Sequence, residues 1–328
     1  MTASEQDLKK LAIVIPAYKA RFLPETLESI AQQSDKRFTV YVGDDASPDN
    51  IKQICDEFTD RFDLVYTRFN ENLGHKSLVA QWNRCIELSS EPWIWLFCDD
   101  DVMEPGCVEM FYKTVDREKN KFRVLRFNTL TINDDGEVIN INPPHPLTES
   151  GSQFIYHRLK SQRLSYVSEY IFSRKSYAEN KGMIDFPIAW CSDEASWLAF
   201  SKNGEILTIQ GVYVLWRRGA YNITPSGAKY QTMRVEAAYR FVRWLDDYLK
   251  ENKIENKYLT KDTINNLSKH WFLNQVRGVA PISVSNYPKF ANFINIISGA
   301  NLIYSYCLLL MFNIIFYFKK FYLKIIKF

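Results

Sequence analysis

The segment Trp93–Pro105 reads WIWLFCDDDVMEP. Its apolar run, Trp93 to Cys98, has the length of one strand and delivers three successive carboxylates, Asp99, Asp100 and Asp101, at its C-terminal end. Adjacent anions repel one another and interrupt a core pattern, so folding alone gives little reason to place them there. A bound cation does. Open α/β sheets hold ligands just beyond the carboxyl ends of their strands, which is where this triad is expected. The bland alternative is a solvated acidic turn, but the run follows apolar residues and precedes Val102 and Met103.

Upstream, strand and helix alternate four times with short connections. LAIVIP (Leu11–Pro16) reads as a buried parallel strand. Leu23, Leu27, Ile30 and Ala31 then share one helical face, with Pro24 early in that helix. Phe38–Val42 is a second strand ending in the turn-forming GDDASPDN, followed by a helix near Ile51–Phe58 and a strand near Leu64–Tyr66. The loop NENLGH leads into a helix from about Lys76 to Leu88, which hands over to the Trp93 strand. This alternation predicts an α/β fold with a mostly parallel sheet flanked by helices. Further on, Phe122–Thr131 and Val138–Ile141 are expected to form a hairpin around Asn133–Gly136, and Asn142–Ser152, with three prolines, a loop. A helix over about 195–201 and a strand over 206–216 follow, the latter running into Arg217 and Arg218. From Gln231 to Lys250 the apolar positions again have helical period.

Composition narrows the function. The 328 residues are 46% hydrophobic, enough for a real core, and a net charge of +3 gives no reason to expect nucleic acid as a partner. Six cysteines without CxxC spacing read as reduced thiols of a cytosolic protein, and four histidines form no ligand-spaced cluster. The polar start MTASEQDLKK reads as no secretory signal. The tail differs: no residue from Phe290 to Phe318 is charged, and Lys319, Lys320, Lys324 and Lys327 follow. A spanning helix needs ~20 apolar residues, and a single span with lysines inside would place the preceding domain outside. A helix lying in the membrane interface resolves that conflict; a buried C-terminal helix or an oligomer contact is the alternative. The expected organisation is a catalytic domain over 1–230, a helical extension over 231–289 and a membrane-associating segment over 290–328, at the inner face of the cell membrane.

Other residues are candidates for the same site. Hard cations such as Mg²⁺ and Mn²⁺ prefer carboxylate oxygens shared with substrate phosphates, which suits Asp100 and Asp101. Asp44 closes the second strand at the same sheet edge and could accept the imide N–H of a uracil, whereas Asp45 and Asp49 suit turn roles. Pro16, Ala17 and Tyr18 end the first strand there, and Tyr18 either stacks on a base or packs on a helix. Asp193 and Glu194 lie between Trp190 and Trp197, where a carboxyl could serve as a general base or act only as a helix N-terminal acid. Arg217 could neutralise a diphosphate.

Together these segments resemble glycosyltransferase family 2, inverting enzymes with a GT-A fold. The resemblance rests on IVIPAYKA (Ile13–Ala20), GDDAS (Gly43–Ser47), NENLGHKSLVAQWN (Asn70–Asn83), CDDD with Pro105 after it, and more loosely SDEASWL (Ser192–Leu198) and WRRGAYNIT (Trp216–Thr224). It covers roughly residues 10 to 225. It implies Asp44 and Ala17 at the nucleotide with Pro16, Tyr18 and Asn72 near it, Asp100 on Mn²⁺ or Mg²⁺, Asp193 as base with Glu194 as rival, and Arg217 on the diphosphate. Two positions depart from the family: Cys98 stands where an acid is usual, which hands the ribose or metal contact to Asp99, and Ser192 replaces a glutamate. The implied donor is a nucleotide-diphosphate sugar, UDP-linked by preference, and the acceptor a glycan or lipid-linked hydroxyl. A nucleotidyltransferase would carry a Gly-rich phosphate loop where this chain has AYKARF (Ala17–Phe22). A glycan-binding or membrane scaffold without catalysis is the other reading, and binding of nucleotide sugars with Mn²⁺ separates it.

Overall fold

Leu11–Ala17 (β1) is buried on both faces, with Leu11 through Ile15 at zero exposure. Each such aliphatic side chain contributes about 1.5–3 kcal/mol, so this strand anchors the sheet. The computed structural model describes residues 10–119, 121–202, 204–219 and 230–326, with side chains up to 322. After β1 come Leu23–Ala31 (α1), Phe38–Asp44 (β2), Ile51–Asp56 (α2), Leu64–Arg68 (β3), Leu78–Ile86 (α3) and Trp93–Leu96 (β4). β3, β2, β1 and β4 lie side by side and parallel. Their register sets Ala17 opposite Asp44 and Asp44 opposite Arg68, so the three strand ends are level.

Beyond β4 the sheet becomes mixed. The chain continues through Val102–Met103 (β5), Cys107–Glu118 (α4), Val124–Ile132 (β6), Val138–Ile141 (β7), Thr148–Ser150 (β8) and Gly151–Leu159 (α5). Tyr170–Ser173 (β9), Arg174–Glu179 (α6), Ser192–Ser201 (α7) and Glu205–Arg217 (β10) complete it, in the order β3-β2-β1-β4-β9-β6-β10-β5. β9 is antiparallel to β4 and β6, and β10 is parallel to β6 but antiparallel to β5. The hairpin β6–β7 turns at Asn133–Gly136, with Gly136 at φ +80°. The stretch read as a loop after Ile141 contains the short strand β8 on β10. Three residues beside a proline run carry no periodic signal, and their partner strand lies more than fifty residues away.

One face of the sheet packs on α1, α2 and α4 through Leu27, Ile30, Cys55, Phe111 and Tyr112. On the other, Trp197 of α7 lies 4.5 Å from Tyr170 and 5.5 Å from Phe172, ring centre to centre. α3 approaches β2 so closely that a Cβ on Gly43 would meet Cys85 Sγ at 2.3 Å. A side chain there would force Cys85 or Phe69 to move.

The chain forms two units. The first holds Met1–Ile155, Arg163–Asp185 and Ser192–Ala220, and thus the whole sheet. The second holds Tyr156–Gln162, Phe186–Cys191 and Tyr221–Phe328. Within it, Gln231–Glu251 (α8) buries Val235, Ala238, Phe241, Val242, Leu245 and Leu249 along one stripe. Lys261–Gly278 (α9) starts at Thr260, whose Oγ1 accepts from Thr263 N at 3.2 Å. Tyr287–Ser298 (α10) and Leu302–Ile326 (α11) are joined through Gly299 at φ +69°. α11 buries Ser305, Leu309 and Phe312 and exposes Ile303, Leu310, Ile314 and Phe318. Its Asn313 side chain bonds Ile282 N, Ile282 O and Tyr287 Oη, so the polar group midway along the apolar helix is satisfied internally.

Candidate active site

Three loops meet at the carboxyl ends of β1, β2 and β4. Asp99 ties the last to the first, because its Oδ2 accepts from Tyr18 N at 3.1 Å and Lys19 N at 3.3 Å. Ser47 ties the second to the first, donating from Oγ to Tyr18 O at 2.6 Å while its N–H donates to Asp44 Oδ1 at 2.8 Å. Asp45 N also donates to Ala17 O at 2.9 Å. Pro16 and Ala17 therefore form the floor of this edge, and Tyr18, 40% exposed, stands free above it.

Asp44 is wholly buried, and its Oδ2 accepts from Tyr66 Oη and Arg68 Nη1, each at 2.6 Å. Half of the Arg68 side chain faces solvent. Sequence reasoning passed over Arg68, because only the register of β2 on β3 sets it against Asp44. Asp45 is spent on structure: it accepts from Leu73 N at 2.7 Å, Gly74 N at 2.9 Å and Arg84 Nη2. Those bonds hold the loop carrying Asn72, whose Oδ1 accepts from His75 N at 3.0 Å.

The triad sits differently. Asp99 and Asp100 are partly buried and Asp101 almost fully. Cys98 Sγ and one oxygen each of Asp100 and Asp101 lie within 4.8 Å of one another. Asp101 Oδ1 accepts from Arg217 N at 2.8 Å. Its Oδ2 is buried with no partner at hydrogen-bonding distance, although the Ser168 hydroxyl is near enough to ease its charge. Burial raises all three carboxyls. Asp100, next to two like charges, is pushed up to about 8, and Asp101 to about 6. Burial and the neighbouring Asp101 and Asp100 raise the Cys98 thiol as well. Such a group of crowded anions with an orphaned oxygen fits a divalent cation, and Cys98, Asp100 and Asp101 are the residues placed to hold one.

The profile of Glycosyl transferase family 2 matches residues 12–175, half of the chain. The chain belongs to glycosyltransferase family 2. Glycosyltransferase GlyG of Streptococcus pneumoniae serotype 4 is 27% identical over 106 residues, 32% of this chain and 35% of GlyG. The chain thus spans about a third of that relative's length. Among solved structures, S. aureus TarS 1-349 in complex with UDP-GlcNAc superposes with a TM-score of 0.66 at 14% identity, covering 93% of this chain and 89% of that one. The mannosyltransferase PcManGT from Pyrobaculum calidifontis, in complex with GDP-Man and Mn²⁺, gives 0.52 at 12%, covering 94% and 87%. At these identities the structures speak to the fold, and the fold is GT-A.

In this family 2 chain, the distal candidates come from separate elements. Asp193 and Glu194 occupy the first turn of α7, Asp193 partly exposed and Glu194 buried. α7 is fixed by Trp197 on Tyr170 and by Ser196, whose Oγ accepts from Ile184 N at 2.9 Å. Trp190 belongs to the second unit, where Arg234 lies 4.3 Å over its ring. Arg217 is 1% exposed, and every guanidinium nitrogen is engaged. Nε donates to Asp100 O at 2.8 Å, Nη1 to Asn133 O at 2.8 Å and Asp134 O at 3.2 Å, and Nη2 to Glu25 Oε2 at 2.5 Å. Its position is that of a strut beneath the triad. Arg218, exposed, follows it, and the distal motif from Ala220 onward lies outside the described residues. Ser168 also escaped sequence reasoning: its Oγ accepts from Cys98 N at 3.0 Å and its carbonyl from Trp95 Nε1 at 2.7 Å.

Proposed function

We propose that this chain is a metal-dependent inverting glycosyltransferase that moves a sugar from a UDP-linked donor to a hydroxyl of a glycan or lipid-linked acceptor, in cell-surface polysaccharide or glycolipid synthesis. The observation that carries this reading is that the crowded triad Asp99–Asp101 after β4 and a half-exposed Arg68 at the end of β3 lie on one sheet edge. Uracil presents two carbonyl acceptors, and Arg68 is the donor offered to them, with buried Asp44 orienting it. Tyr18 supplies an exposed ring for the base to stack on, and Asn72 lies on the adjoining loop. The TarS structure holding UDP-GlcNAc and the PcManGT structure holding Mn²⁺ support the donor class and the metal.

Bound at Asp100 and Asp101, a Mn²⁺ or Mg²⁺ ion would supply charge neutralisation to the diphosphate leaving group. Arg217 acts as a positioning residue: it fixes the Asp100 carbonyl and the Asp101 carboxylate from below. Asp99 holds the β1 loop against the donor side. Asp193 takes the proton from the acceptor hydroxyl, whose oxygen attacks the anomeric carbon in line with the departing nucleotide and inverts it; Glu194, being buried, is the second choice. Screening purified chain against nucleotide sugars with Mn²⁺ or with chelator tests this. Turnover of a UDP-sugar, lost with chelator, is expected, and Asp193→Asn should lower it ~10²-fold. Failure to turn over or bind any nucleotide sugar would sink the reading, and near-normal Asp193→Asn turnover would move the base to Glu194.

The same proposal places the protein at the inner face of the cell membrane through α11. Leu302–Tyr322 is long and apolar enough to cross a bilayer and only 17% of it is buried, while Lys319 and Lys320 are exposed near its C-terminal end. Cosedimentation with anionic vesicles should disappear when the chain is truncated before Phe290; persistence would remove α11 as the anchor.

A further inference from the structure

Cys98 stands at the mouth of the triad where family 2 chains usually carry an acid, and its surroundings show more than a substitution. It is partly exposed, in contrast to the buried Cys55, Cys85, Cys107 and Cys191. Its N–H is pinned by Ser168 Oγ at 3.0 Å, which fixes the backbone from which the thiol projects. Its Sγ lies within 4.8 Å of the ligand oxygens of Asp100 and Asp101. Two ligands on opposite sides of a first-row divalent ion are separated by roughly 4–4.5 Å, given bond lengths of about 2.0–2.3 Å. The three atoms thus lie within a few tenths of an ångström of the span that one ion bridges. Independently of the cysteine, Asp101 is 1% exposed and its Oδ2 has no hydrogen-bond partner, so a buried oxygen in the same cluster lacks the partner that a cation would be.

We propose that Cys98 Sγ is a ligand of the divalent ion held by Asp100 and Asp101, and that it biases the site toward thiophilic ions (Zn²⁺, Cd²⁺) and, between the two hard ions, toward Mn²⁺ over Mg²⁺. The reason is ligand softness. Mg²⁺ binds oxygen almost exclusively and keeps its waters, whereas a thiolate gains most from a polarisable ion. On binding, the S–H bond is replaced by a sulfur–metal bond and the proton leaves to solvent. This inference rests on the metal-dependent reading given above, and it concerns only which metal this chain selects.

The test uses the full chain in a Cys307→Ser background, because Cys307 is an exposed thiol on α11. Titrating with Cd²⁺ in the absence of any sugar donor should develop the ultraviolet charge-transfer band of a cadmium thiolate. Cys98→Ser should abolish that band and weaken Mn²⁺ binding, measured by calorimetry, by roughly tenfold or more. Cys98→Asp should bind Mn²⁺ again while moving the ratio of Mg²⁺ to Mn²⁺ affinity by roughly tenfold toward Mg²⁺. Cadmium binding without the band, or Cys98→Ser holding Mn²⁺ as tightly as the parent while Asp100→Ala does not, overturns the cysteine and leaves the carboxylate site standing. If the parent binds no divalent ion at all, both fall.

Discussion

Two parallel strands, β2 and β4, flank β1 and are each followed by consecutive acids, and the protein treats them in opposite ways. At the end of β2, Asp44 meets Arg68, Tyr66 and Ser47 N, and Asp45 meets Arg84, Leu73 N and Gly74 N. Their charge is balanced within the fold. At the end of β4, Asp99, Asp100 and Asp101 face one another; Arg217 contributes a backbone N–H to Asp101 but sends its guanidinium to carbonyls and Glu25. The first pair is compensated by side chains of the fold, whereas the triad is met by backbone N–H groups at Asp99 and Asp101. A buried anion paired with a cation is part of the scaffold, whereas crowded carboxyls held only by backbone N–H groups favour positive charge beside them.

Substitutions at equivalent places can break this contrast. Asp100→Ala should reduce transfer by ~10³-fold without lowering the thermal stability of the metal-free chain, since it relieves repulsion; a loss of stability equal to the loss of activity would make Asp100 a structural acid. Asp45→Ala should do the reverse. Removing the acceptor shared by Leu73 N, Gly74 N and the partly buried Arg84 costs about 3 kcal/mol, visible as an earlier midpoint in denaturant, and an unchanged midpoint would contradict the assignment. Arg68→Ala is smaller, with KM for a UDP-sugar rising ~10-fold and the preference for uracil over guanine nucleotides fading; a uniform loss for both would place Arg68 in folding alone.

The smallest effect is in pH. A cation needs the triad ionised, and Asp101 and Asp100 release their protons near about 6 and about 8. Mn²⁺ affinity should therefore climb as pH rises through that window. The metal-free fold should respond with the opposite sign, because carboxyls whose folded pKa is raised favour folding while protonated and lose that contribution as they ionise. Calorimetry across the window checks the first, and a flat profile would show that the triad is not the ligand set.

Much of this was legible in the sequence. Alternating apolar runs gave β1 through β4 and their helices because buried parallel strands are nearly continuous hydrophobic stretches, and the acids at Asp44 and Asp99–Asp101 stood out as violations of that pattern. β8, β9 and the two-residue β5 were not marked, being too short to carry a period. What the chain alone determined was the residue types at each strand end, including the departure at Cys98. Only the tertiary structure decided which of them are spent: strand register delivered Arg68 to Asp44, and the return of β10 beside β5 turned Arg217 from a candidate diphosphate ligand into a strut under the triad. The physical reason is that charge compensation is a matter of distance across the sheet. Asp44 and Arg68 are separated by 24 positions in the chain and by 2.6 Å in space.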